Sequence, residues 1–454
     1  MEETKMARSH DMTSGSIWQN LLRFAIPIMI SNLVQSTYNA VDMLFVGQFT
    51  GTESLAAVSV CGPIMNVMII TLSGMSAGVL VVVSGLLGAG DLKQAQEAAH
   101  TSIALYTLMA VVTTVLGILF VPQILAIVQT PEAAMQEAKR YLYTMFTGTV
   151  FSFGYNLIGA LQRGLGNAVA SMSFVIVSSV ANILLDAVFI IGLDMGAFGA
   201  ALGTVLSQVA AFVIGAVQFA KGATALRISL REVRFHGKHL KNILLFGVPT
   251  ALNEVMVNTA MLTVSGVANS FGLASSAAYG VSSRIDSLAI FTDSAMHQTM
   301  SAYASQNVGA GKNKRALSGL WRAILLSASI AFCTAMLVLT FARQFAACFD
   351  SNPEVVEQSV ALLRVTVWSY PLFATVGPLI GFIRGTGNLE ASLLVGVVAQ
   401  LCCRIPASFL FARLMGFPGV GVAVLIGPLV SVSIYVWYIL SGRWHKGVAR
   451  VARL

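Results

Sequence analysis

Asp42 lies well inside an apolar stretch, Phe24 to Gln48, whose sequence FAIPIMISNLVQSTYNAVDMLFVGQ otherwise reads as a membrane helix. Taking a carboxylate out of water is costly unless it holds a proton, a cation or a partner, so an acid kept at this depth is read as functional. The competing reading is a structural Asp satisfied by neighbouring hydroxyls and amides. The same helix supplies Tyr38 and Asn39 one turn before Asp42 and Gln35 two turns before, forming a polar stripe on an apolar rod. Pro27 leaves a backbone carbonyl without its helical donor and so can bend this helix. A second constellation lies in SFVIVSSVANILLDAVFIIG, where Asn182 and Asp186 are spaced i, i+4 and share a face. Counted from the expected helix ends, Asp42 and Asp186 are each about 8–9 Å from the outer surface at the helical rise, which puts them in one layer. Thr204 falls at the same depth. Two carboxylates, an amide and a hydroxyl are hard oxygen ligands for an alkali cation, so Asp42, Asn182, Asp186 and Thr204 would be its ligands if Na⁺ is the ion. The other reading is an acid pair that shares a proton.

The second half of the chain has its own ionisable residues, Glu254, Arg284, Asp286, Asp293 and His297, with Asp286 and Asp293 on one helix face at i, i+7. Arg284 can neutralise one of these acids, so a structural network and a second coupling site are both open for this cluster. Gly74-Met75-Ser76-Ala77-Gly78 matches the G-x-S-x-G pattern of serine hydrolases, but it lies mid-helix in an apolar run, without a strand-to-helix elbow. It reads instead as a close-packing surface, as does Gly377-xxx-Gly381-xxx-Gly385. No metal-ligand spacing, phosphate loop or dinucleotide fingerprint is present, so neither an enzyme nor a nucleotide-driven pump is expected.

Of the 454 residues, 56% are hydrophobic and only 10% charged, a composition outside the soluble range. Apolar runs recur to the end of the chain, which makes it an all-α polytopic membrane protein. Twelve spans are expected, near 17–47, 54–87, 94–121, 132–162, 167–192, 197–221, 239–269, 274–308, 313–347, 354–384, 388–414 and 418–442. The net charge of +8 does not point to nucleic acid, because the basic residues cluster in short loops on one side. These run from Lys5 and Arg8 through Lys93, Arg163, Lys221, Arg227, Lys312 and Arg384 to Arg443 and Arg453, while Glu53, Glu132, Asp194, Asp350 and Glu354 mark the other side. By the positive-inside rule both termini are cytoplasmic, in the cytoplasmic (inner) membrane. The five cysteines have no paired spacing and read as small core hydrophobes. The first apolar run is too long for a signal peptide and acts as an uncleaved first helix.

The halves repeat. FAIPIMISN around Pro27 answers FGVPTALNE around Pro249, LLGAGDLKQA (86–95) answers NVGAGKNKRA (307–316), and TPEAAMQEA (130–138) answers NPEVVEQSV (352–360). LQRGLGNAVAS (161–171) answers FIRGTGNLEAS (382–392), with Arg163 against Arg384 and Asn167 against Asn388. Both arginines are read as positive-inside anchors beside glycine caps, with no direct substrate role. The expected organisation is a 1–16 segment, an N-lobe at 17–221, a linker at 222–238, a C-lobe at 239–442 and a 443–454 tail. Six helices per repeat relate the two bundles by a pseudo-two-fold axis along the membrane normal, with binding between them. At the repeat shift Asp42 falls opposite Val264 and Asp186 opposite Pro406, so the outer acid layer belongs to the first repeat alone.

These features resemble the multidrug and toxic compound extrusion (MATE) family across essentially the whole chain, through Pro27, Asn32, Asp42, Val46, Gly47 and the repeated R-G-x-G-N motif. The resemblance implies that Asp42, Asn156, Asn182, Asp186 and Thr204 form the N-lobe cation or proton site of the DinF-like branch. Gln35, Tyr38 and Asn39 would line the substrate cavity, Tyr38 and Gln35 matching polar cavity positions of that branch, and Pro27 would be the bending proline. Glu254 is near but out of register with the first C-lobe acid of the NorM-like branch, and SYPLFATVGPLIGF lacks the second. The implied function is secondary antiport, exporting organic, often cationic or amphipathic, compounds for inward H⁺ or Na⁺, with no cofactor. Its partners would be small organic substrates and the lipid bilayer, the chain acting as a monomer. Two other readings are a lipid-linked precursor flippase of the same superfamily and a non-transporting scaffold or receptor.

Overall fold

The computed structural model describes residues 11–220, 226 and 228–451. Lys5, Arg8, Lys221, Arg227 and Arg453, with the start of the 222–238 linker, lie outside the described residues. The first repeat folds as α1 (Ile17–Phe49), α2 (Thr52–Gly88), α3 (Leu92–Ile127), α4 (Glu132–Thr147), α5 (Thr149–Gly164), α6 (Ala168–Asp186) and α7 (Gly196–Ala220). The second comprises α8 (Gly237–Asn269), α9 (Leu273–Gly309), α10 (Asn313–Thr340), α11 (Ala342–Phe349), α12 (Pro353–Thr366), α13 (Ser369–Gly385), α14 (Leu389–Gly396), α15 (Ile405–Met415), α16 (Pro418–Leu440) and α17 (His445–Val451). π-helical stretches follow α6 at Ala187–Gly192 and α14 at Val397–Arg404, at similar places in the two repeats.

Among the described residues, nine helices are long and apolar enough to cross a membrane by length and composition. There are ten if α12 and α13, bent by 49°, count as one span. The expected spans at 132–162 and 274–308 are the two that differ. The first is divided into α4 and α5 at Gly148, where Val205 leaves no room for a Cβ. The second, α9, carries Arg284, Asp286 and Asp293, which make it too polar to qualify by composition.

Two compact units form, one from Ile26–Leu244 and the other from Met12–Ala25 with Leu245–Leu454. The division of α1 falls within two residues of Pro27. In the second unit the segment before α1 is tied down: the Met12 amide donates to Gln306 Oε1 (3.1 Å), Asn307 Nδ2 donates to the Met12 carbonyl (3.2 Å), and Arg315 Nη2 donates to the Ser14 carbonyl (2.6 Å). In the first unit the segment before α8 is held in an analogous way. His236 N donates to Thr101 Oγ1 (3.2 Å), Ser229 N to His100 Nε2 (3.3 Å) and Lys238 Nζ to Gln94 Oε1 (2.8 Å). Asp91 caps α3 by accepting from the Gln94 amide and side chain, which hold its carboxyl below the usual range.

The repeated motifs are turns, as their glycines suggest. Gly90 and Gly311 of the Gly-Ala-Gly pair have φ of +76° and +71°, and Gly166 and Gly387 of R-G-x-G-N have +79° and +86°. These left-handed backbones favour glycine. The Gly377, Gly381, Gly385 stripe packs α13 on α9, where a Cβ would run into the carbonyls of Asp293, His297 and Ser301 in turn. Backbone cannot yield as a side-chain tip can, so Gly381→Val is expected to cost about 1–3 kcal/mol or more and lower the thermal midpoint. Gly266→Ala, with open space around it, should leave the midpoint unchanged.

Candidate functional site

The seam between α6 and α7 is polar along one line. Ser178 Oγ donates to Ser207 Oγ at 3.4 Å, and one turn on, Asn182 Nδ2 donates to Thr204 Oγ1 at 3.4 Å. Another turn on, Asp186 stands against Gly203, where a Cβ would collide with Asp186 Oδ1. The i, i+4 spacing on α6 and the small residues of α7 produce this ladder, and α6 passes into its π-helical stretch directly after Asp186. Asp186 is fully buried (0% exposed). From α1, the Asp42 carboxyl comes within reach of the Asp186 carboxyl, and Tyr38, with Gln35 beside it, lies within electrostatic range of both. Asn182 lies beside the Asp186 carboxyl, yet among the described residues no protein donor completes a hydrogen bond to either Asp186 oxygen, to Asp42 Oδ1 or to Asn182 Oδ1. Ionised carboxylates only accept, so two of them face to face are chemically suited to sharing a proton or to holding a cation.

The other expected members make local contacts or face outward. Asn156 donates to its own helix at the Ser152 carbonyl (2.9 Å), while Ser152 itself donates to Gln208. Gln35 and Asn39 are exposed on α1. The geometry adds Gly203, whose missing Cβ makes room for a carboxylate oxygen. It also adds Tyr141, within electrostatic range of Asp42, Asp186, Tyr38 and Cys61. Neither is signalled by the sequence, since each belongs to a helix whose facing is set by packing alone. Ser76 of the G-x-S-x-G match hydrogen-bonds the Tyr106 hydroxyl at 2.9 Å, inside α2.

In the second unit the ionisable residues divide. Asp286 accepts from the Tyr370 hydroxyl (2.7 Å) and Thr366 Oγ1 (3.1 Å). Asp293 instead lies within electrostatic range of Glu254 and Arg384, with Oδ1 lacking a donor among the described residues. Arg384, 1% exposed, donates from Nη1 to His297 Nε2 at 2.8 Å and from Nε to Ser392 Oγ at 3.3 Å, and sets Nη1 4.0 Å from Glu254 Oε1.

The model of the MatE family matches residues 27–188 and 249–410 of this chain. The chain belongs to the MatE family. The two matched segments are equal in length and begin at Pro27 and Pro249, the prolines of the sequence repeat. The chain is 26% identical to a probable multidrug resistance protein, YpnP, of Bacillus subtilis (strain 168) over 96% of this chain and 98% of that one. It is 24% identical to the multidrug export protein MepA of Staphylococcus aureus (strain MSSA476), over 94% and 95%. Its fold superimposes on a MATE crystal structure in the straight conformation with a TM-score of 0.90, at 24% identity over 98% and 99% of the two chains. A MATE structure in the bent conformation gives 0.87 at 25% identity over 96% and 98%. This MatE protein is therefore a multi-pass membrane transporter, not an enzyme.

Within the MatE frame two sequence expectations change. Neither arginine of the repeated motif simply faces the loop: Arg163 turns onto Ser171 and Arg384 onto Ser392, and where the glycine stripe packs α13 on α9, Arg384 also meets His297. Arg284, which the sequence leaves able to neutralise a neighbouring acid, is exposed, and among the described residues no ion pair joins it to Asp286 or Asp293. Two residues along a helix is about 200° of rotation, which turns Arg284 away from Asp286.

Proposed function

We propose that this MatE protein is a secondary antiporter that exports organic, often cationic or amphipathic, compounds in exchange for inward H⁺ or Na⁺. The observation that carries the reading is the Asp42–Asp186 pair: two carboxyls within reach of each other, one fully buried and without a protein donor among the described residues. Asn182 and Thr204 complete an oxygen-rich set suited to Na⁺, and the same pair can hold one proton instead. The restriction of this pair to the first repeat favours a site of the DinF-like kind. Ion and drug would favour different arrangements of the first unit, with α1 bending at Pro27 as the two lobes, 17–221 and 239–442, alternate access. The multidrug names of its relatives support the substrate class. Proteoliposomes loaded with a fluorescent organic cation test this: export should follow an imposed pH or Na⁺ gradient, and export indifferent to both gradients would exclude antiport.

The protein works as a monomer in the inner membrane with both termini cytoplasmic. Gly237 is exposed, with no atom near the position of a Cβ, so Gly237→Cys should be well tolerated. An impermeant maleimide should leave it unlabelled in intact cells and label it after permeabilisation, measured against the parent's own cysteines. Labelling from outside would invert the topology.

A further inference from the structure

The two repeats treat their buried acids in opposite ways. In the first, Arg163 Nη1 donates to Ser171 Oγ at 2.8 Å, and in the second Arg384 donates to Ser392, the residue that answers Ser171 in the repeat. The arginine–serine contact is thus a shared feature. The surroundings are not shared. Arg163 has Tyr155 and Tyr106 as its charged or titratable neighbours, whereas Arg384 has Glu254, Asp293 and Tyr435, with His297 hydrogen-bonded to it. By the Pro27–Pro249 register Glu254 answers Asn32, and at a shift of 221 or 222 Asp293 answers Leu72 or Thr71. His297 likewise answers Ser76 or Met75. Among the described residues, the first repeat therefore keeps its acid pair apart from its arginine, while the second gathers its acids around its arginine.

Guanidinium chemistry makes that gathering a cation site already filled. Arg384 is always protonated and donates only, so His297 Nε2 must accept, which leaves the imidazole neutral and sets the one guanidinium charge against one of the two carboxylates, with Glu254 at 4.0 Å. The glycine contacts of α13 on α9 hold the guanidinium there, and no solvent reaches it beyond 1% of its surface. We propose that Arg384 is a tethered counter-ion: it takes the place beside Glu254 and Asp293 that an imported cation would occupy, so this place takes up no coupling ion. Resting on the antiport reading above, this leaves Asp42 and Asp186 as the coupling pair.

The test counts ions bound to the purified full-length protein, Na⁺ by ²³Na NMR and protons with a pH indicator. Arg384→Gln should bind about one ion more than the parent. The gain should persist in Asp186→Asn/Arg384→Gln, disappear when Glu254→Gln is added, and be absent in Arg384→Lys, which restores a tethered cation. No gain in a folded Arg384→Gln protein overturns the proposal. Should that variant not fold, Glu254→Gln in the parent decides: an unchanged ion count upholds the tethered counter-ion, and the loss of an ion overturns it. If instead Asp186→Asn keeps the parent's full ion count while Arg384→Gln still gains one, the first-repeat site fails and the counter-ion stands.

Discussion

In proteoliposomes with an imposed pH or Na⁺ gradient, Asp186→Asn is expected to reduce export to the level of protein-free vesicles while the purified protein stays monodisperse. Asn has the shape of Asp but can neither release a proton nor ligate a cation with a charged oxygen, so the gradient loses its point of application. The fold should survive because burial here works against the acid. Asp186 is 0% exposed and neither oxygen has a protein donor among the described residues, whereas an amide would give Asp42 a donor it lacks. Replacing one of two facing acids by a neutral partner is neutral or stabilising where the charge was uncompensated. Glu254→Gln should cost export much less, because Arg384 and its remaining contacts hold that cluster. Aggregation of Asp186→Asn would instead assign the acid a structural role, and a larger loss with Glu254→Gln would move coupling to the second repeat.

The contrast between these two sites also shows what the sequence could carry. Asp42, Asn182, Asp186 and Thr204 were legible because each is a polar residue in an apolar run, and helical periodicity plus depth put them in one layer. The structure brings Asp42 and Asp186 within reach and ladders Asn182 to Thr204. Asn156 belongs to the same site in the resemblance, yet its amide is used by its own helix. Arg384 departs from its sequence expectation for a physical reason. It sits in the last turn of a helix beside a glycine cap, where a basic residue normally faces the loop. Its contact with Ser392 answers that of Arg163 with Ser171, while the close packing of Gly377, Gly381 and Gly385 on α9 adds His297 as a partner; the stripe is visible in the sequence, its partner helix is not. Gly203 was invisible for the complementary reason: a glycine among the small residues of α7 gives no sign that a carboxylate fills the space of its missing side chain.

The largest thermodynamic effect is expected from Asp42 and Asp186 acting as one titrating unit. Their carboxyls lie within reach of each other, and two ionised acids at that range repel unless something positive stands between them. Without Na⁺, the cheapest state holds one proton on the pair. With Na⁺ bound among Asp42, Asp186, Asn182 and Thr204, both acids ionise, and that proton must leave. Linkage then fixes the signs: Na⁺ binding releases protons, and lowering the pH weakens Na⁺ binding. Where one proton is displaced per ion, apparent Na⁺ affinity should fall about tenfold for each pH unit below the titration of the pair. Calorimetry in buffers of different ionisation enthalpy would count the protons, and ²³Na NMR across pH would follow the affinity. Asp42→Asn removes one acid, so it should abolish both the proton release and its pH dependence. A protein coupled to H⁺ alone would show no saturable Na⁺ effect at any pH, leaving the shared proton as the whole mechanism. Na⁺ binding that ignores pH, or survives Asp42→Asn unchanged, would mean that the two carboxyls do not form one site.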